Sequence, residues 1–179
     1  NPEAQEKIVR AYEQLRDFDG AANAREKLVA NYSEGSAWHA ANASDREAIY
    51  KAADLTERSL YTAAIFRHQQ AQAFKGSNRP DDARRSYTAA ASAYEAYLKR
   101  FPRSRNSYDF EYFLAECLYY SDDYDRAVAQ YDKVRDSKVD NKHLEAAALS
   151  SVITHEKLID REIAKGKIPK LELMTAAQN

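Results

Sequence analysis

"LAECLYYSDDYDRAVAQYDKV", residues 114 to 134, is the stretch from which the rest of the chain can be read. Leu114, Ala115 and Leu118 recur at three- and four-residue steps, the polar run at 121–123 interrupts them, and Ala127, Tyr131 and Val134 resume the same steps. That period belongs to amphipathic helices, so the stretch predicts the end of one helix, a tight turn and the start of a second. Tyr119, Tyr120, Tyr124 and Tyr131 crowd around the turn, together with Cys117, the chain's one cysteine.

The same ordered series recurs upstream. It runs Ile8, Tyr12, Phe18, Ala21 and Leu28 near the amino end, and Ala71, Phe74, Pro80, Ala83, Tyr87 and Ala90 in the middle. Where two helices cross, a small residue lets the backbones approach, and a larger one overpacks the contact. Ala21, Ala83, Ala115 and Ala127 are therefore expected at crossings. Tyr124 and Tyr131 are expected beside them, because a tyrosine ring buries a large apolar area while its hydroxyl reaches a polar edge.

With 179 residues, the chain fits one domain with a substantial core, and four glycines and four prolines leave long uninterrupted stretches of helix formers. The fold class read from this is all-α. Helices are predicted over about 2–17, 20–32, 45–75, 80–100, 107–121, 123–136 and 141–165, with "SAWHAANAS" (36–44) as a loop and 170–179 as a frayed tail. Pro2 and Pro80 suit a helix's first turn, and Ser44 with Glu47 has the form of a capping box. The 45–75 stretch contains no Gly or Pro before its end, and as one helix would reach about 46 Å.

Charge and cysteine usage exclude several classes. Twenty-seven basic against 28 acidic residues give a net charge of −1, so no bulk attraction to nucleic acid or an anionic membrane is expected. No apolar run approaches the ~20 residues of a membrane-spanning helix. A single cysteine allows neither an internal disulfide nor a CxxC pair. Starting at Asn1, the sequence is expected to be a processed product or part of a longer protein.

A helix-turn-helix series of small residues and aromatics over ~34 residues resembles the tetratricopeptide repeat. The resemblance is fullest over 108–141 and extends to 2–35 and 45–102. The stretch 142–165 resembles a repeat's first helix, but Arg161 and Lys165 stand where an alanine and an aromatic are expected, so it is read as a capping helix. The resemblance implies a right-handed α-solenoid of about three such units plus that helix, in one domain over 1–169. "YEAYLKRFPRS" (94–104) and "DYDRAVAQYDKV" (123–134) look most like bacterial cell-envelope repeat proteins, the BamD-like lipoproteins and CpoB-like periplasmic coordinators. "WHAANASDREAIYKAADL" (38–55) is more distantly similar to repeat proteins of gliding machinery. A periplasmic or envelope location is implied, with the cytoplasm as the alternative.

In such repeats the first helix of each unit lines a concave binding surface. The residues so placed here are Glu6, Arg10 and Glu13, then His68, Gln72 and Lys75, then Tyr112, Glu116 and Tyr119. The family's clamp for a terminal carboxylate needs Lys and Asn at positions held here by Glu6, Arg10, His68, Gln72, Tyr112 and Glu116, so no such clamp is expected. The implied function is a non-enzymatic scaffold that holds a partner peptide or helix in its groove within a larger envelope assembly. The alternatives are a self-assembling structural segment, or a helical ligand-binding protein or enzyme with Cys117 or His68 in a pocket.

Catalytic patterns are incomplete. His155-Glu156 opens like the zinc motif HExxH, but Ile159 replaces the second histidine that must hold the metal. Gly-rich phosphate loops and the GxSxG elbow are absent. Lys99, Arg100, Arg103 and Arg105 form the one basic cluster, read as surface at a unit boundary. No catalytic residue, metal or cofactor is expected, and the partners expected are proteins, including a second copy of the chain.

Overall fold

Eight helices form the described residues, 1–166, of the computed structural model. They are α1 (Pro2–Gln14), α2 (Phe18–Tyr32), α3 (Ala37–Ala41), α4 (Arg46–Gly76), α5 (Pro80–Arg100), α6 (Ser107–Tyr120), α7 (Tyr124–Arg135) and α8 (Leu144–Ala164). No strand occurs among the described residues. The expected tail over 170–179 lies outside them.

Seven of the helices match the sequence periods to within a few residues. The eighth, α3, lies in the 36–44 stretch expected to be a loop. Ser36 caps it by accepting from the His39 N–H at 3.1 Å, and Trp38 sets its ring edge-on to Tyr32 with centroids 5.4 Å apart. The capping box expected at Ser44 is replaced by Asp45, whose carboxylate accepts from the Ala48 N–H at 3.0 Å. α4 is one unbroken helix of 31 residues. Its amino-terminal half is held by burial of Ala52, Leu55 and Thr56.

Packing follows chain order. α1 packs on α2, α2 on α4, α4 on α5, and so on through α6 and α7 to α8, with α1 also touching α4. Each pairing expected to be a hairpin closes through the same turn. After α1, Arg16 is left-handed (φ 56°), its N–H donates to Glu13 O, and the Asp17 N–H reaches back to Tyr12 O at 2.9 Å. After α4, Asn78 (φ 54°) and Arg79 repeat those bonds to Lys75 O and Phe74 O. After α6, Asp122 (φ 65°) and Asp123 repeat them to Tyr119 O and Leu118 O. This is the Schellman arrangement, which satisfies carbonyls left open at a helix end and reverses the chain.

The main core lies between α4 and α8. It is built on Tyr87, Tyr94 and Tyr97 of α5 and Phe110, Leu114 and Cys117 of α6, with Tyr131 and Val134 from α7. Ala83, Ala115 and Ala127 are buried there, and Ala21 is buried between α1 and α2. Tyr131 is buried, whereas Tyr124 is half-buried at the α6–α7 turn, where its hydroxyl donates to Asp122 at 2.8 Å. A separate knot ties α4 to the end of α5. Glu57 Oε1 accepts from the Tyr97 and Ser104 hydroxyls at 2.6 and 2.7 Å, and Asn106 Nδ2 donates to the Tyr97 oxygen at 3.2 Å.

Candidate interaction surface

Side chains of α4, α6 and α8 meet along one line of aromatic contacts. Tyr61 of α4 stacks on Phe110 of α6 at 5.0 Å, and His68 sets its edge to Phe113 at 5.8 Å. Further along, the Lys75 ammonium lies 3.6 Å from the centre of the Tyr120 ring. On the other side of α6, Tyr112 stacks flat on His143, just before α8, with centroids 4.3 Å apart and planes 4° from parallel. His143 Nε2 bonds Asp109 at 2.7 Å, and Lys142 donates to both oxygens of the same carboxylate. Burial pushes the Asp109 carboxyl upward, but the bonds from Lys142 and His143 outweigh it and hold the group below the usual carboxylate range.

His68 is buried at 7% exposure, so it sits beneath this surface and its ring nitrogens are used internally. Gln72 Nε2 donates to Nε2 at 3.4 Å, which leaves the proton on Nδ1 for the Tyr94 hydroxyl 3.0 Å away. Burial lowers the His68 pKa, in keeping with a neutral ring. Tyr87, beside it, is pushed up to about 12 by burial.

Glu116 differs from its neighbours. It is half-buried on α6, and among the described residues no hydrogen bond or ion pair within 4 Å reaches its carboxylate. Burial raises its pKa, and the Lys75 charge opposes that rise. Tyr112 and Tyr131 are electrostatically coupled to it, and Ser150 of α8 lies near both of their hydroxyls. The half-buried rings of Tyr112 and Tyr119 flank it one turn before and one turn after on the same helix.

The α1 residues stand apart from this group. Glu6 pairs with Arg10 at 3.1 Å, beside Asp54, Leu55 and Arg58 of α4. Glu13 turns toward α2 and pairs with Arg25. Thus His68, Gln72, Lys75, Tyr112, Glu116 and Tyr119 are brought into one neighbourhood, and Glu6, Arg10 and Glu13 form another. Tyr120, His143 and Ser150 belong to the first neighbourhood and were missed in the sequence. Tyr120 was legible as one more aromatic at the turn, but no local pattern marks His143 or Ser150, which depend on α8 folding back over α6.

Sequence reading also missed a cleft of about 340 Å³ between α2 and α4. Phe18 and Phe66, stacked at 5.7 Å, line it together with Val29, Leu60, Arg25 and Arg67. Cys117 is fully buried, and burial drives its thiol pKa far up, which suits a packing role. His155 and Glu156 are both exposed. Among the described residues no three His, Cys, Asp or Glu side chains gather as a metal site, and no helix is long and apolar enough to cross a membrane. Compared with protein-family models, curated proteins and solved structures, the chain matches none.

Proposed function

We propose that the chain is a tetratricopeptide-like, right-handed solenoid that binds a partner protein as a non-enzymatic scaffold, with α4 and α6 on the recognition face. The repeated Schellman turn after α1, α4 and α6 and the packing of helices in chain order support the repeat reading. α8 takes the place of a capping helix. The observation that carries the functional reading is the row of half-buried aromatic rings beside an unpartnered carboxylate, Tyr112, Tyr119 and Glu116. Aromatic anchors inside a polar rim are how proteins hold a peptide or a helix. The likeness of 94–104 and 123–134 to envelope repeat proteins supports a place in a cell-envelope assembly.

Affinity capture from the source cell, quantified by mass spectrometry, tests this reading. The wild-type chain should retain a defined partner that a Tyr112→Ala/Tyr119→Ala variant loses while keeping its helical content. Equal retention by the variant would move the binding face elsewhere.

A further inference from the structure

Glu116 combines two properties that are costly together: it is removed from much of the solvent, and it has no donor. A half-buried carboxylate loses hydration, and without a hydrogen bond or a close cation that loss is uncompensated. Other half-buried carboxylates of the chain are satisfied. Asp109 takes bonds from Lys142 and His143, Glu57 from Tyr97 and Ser104, and Glu111 an ion pair from Lys133 at 2.9 Å. Among the described residues the one cation coupled to Glu116 is Lys75, and its ammonium lies over the Tyr120 ring, outside ion-pair range of the carboxylate.

The surroundings favour one kind of guest. Beside Glu116 the rings left to a guest are the half-buried Tyr112 and Tyr119, because the chain's own Lys75 ammonium already occupies a face of Tyr120 at 3.6 Å. Tyr87, 5.0 Å away, and Tyr119, edge-on at 5.1 Å, hold that ring in place. Tyr112 is fixed by its stack on His143 and so offers a pre-set wall at low entropic cost. A carboxylate beside aromatic faces complements a long side chain with an apolar stem and a cationic head.

We propose that Glu116, with Tyr112 and Tyr119, is the receptor for a lysine or arginine side chain of a partner peptide. This rests on the reading of α4 and α6 as the recognition face and adds the chemistry of the anchor. The guest's head supplies the hydrogen-bond donor that Glu116 lacks, and its stem lies along the tyrosine rings. The polarity is the reverse of a clamp that uses protein cations to hold a carboxylate.

The test uses peptides taken from a random dodecamer phage library panned on the full chain. Each is remade with fluorescein, and with norleucine in place of its basic residue. Binding is read by polarisation against wild type, Glu116→Gln and Tyr112→Ala, with thermal melts confirming folding. Selected peptides should carry a Lys or Arg whose change to norleucine weakens wild-type binding about tenfold. In Glu116→Gln that preference should vanish, because the two changes remove the same contact. A preference that survives in Glu116→Gln, or peptides lacking a basic residue, would overturn the inference. If those peptides still fail on Tyr112→Ala, the recognition face stands without its cation site. Peptides indifferent to both variants, or an empty selection, would contradict the face as well.

Discussion

Ala127 has no exposed surface and belongs to the buried core of α7, which packs on α6 and α8. Replacing it by Leu adds three carbons where no space exists and should lower unfolding free energy by ~1–3 kcal/mol in urea titration. Ala129→Leu, at an exposed position on the same helix, should leave stability nearly unchanged. His68 makes a pH-dependent contribution. Its folded pKa is below the unfolded value of about 6.5, so the unfolded chain takes up the proton first. Its contribution is complete above about 6.5 and is lost as pH falls toward and through the folded pKa. Melting temperatures between pH 7 and 5 should therefore fall further for wild type than for His68→Phe, and parallel profiles would contradict the assignment. The crossing alanines were legible because their burial follows from helical period alone. The burial of His68 was not, since Tyr87 and Tyr94 of α5 and Phe113 of α6 bury it only once those helices pack.

At the scale of elements, boundaries were readable where the chain uses Pro, Asp and apolar period, and obscure where the turns avoid glycine. Arg16, Asn78 and Asp122 hold the left-handed position that glycine usually fills, so the shared conformation of the turns carried no glycine signal, although the polar run at 121–123 marked one of them as a turn. Gly20 misled in the opposite direction. Taken as a break at the start of a helix, it lies inside α2, whose cap is Asp17, with the carboxylate accepting from the Gly20 N–H at 2.8 Å. Its role is contact between α1 and α2, because a Cβ there would come 2.4 Å from Cδ1 of Tyr12. Gly20→Ala should destabilise the chain by ~1–3 kcal/mol despite alanine's better helix propensity, and adding Tyr12→Ala should recover part of the loss. A stabilised single variant would mean that Tyr12 moves aside without cost. The one-turn α3 escaped detection because five residues are too few to establish a period.

Across the whole molecule, each long helix rests on its neighbours in sequence, and side chains of α4, α6 and α8 converge on one aromatic surface. Six of the nine candidate contact residues gather there, on α4 and α6, whose side chains meet through contacts such as His68–Phe113 and Lys75–Tyr120. Of the three α1 residues, Glu6 and Arg10 lie beside the amino-terminal half of the 31-residue α4, and Glu13 pairs with Arg25 of α2. Envelope location was an expectation of resemblance, since a compartment leaves no mark in packing. The central claim is that partner recognition falls on α4 and α6. Hydrogen–deuterium exchange of the chain with and without the captured partner tests it most directly. Protection should appear in peptides spanning 68–75 and 112–120 and leave α2, α5 and α7 unchanged. Protection centred instead on the Phe18–Phe66 cleft, or on α5 and α7, would contradict the account.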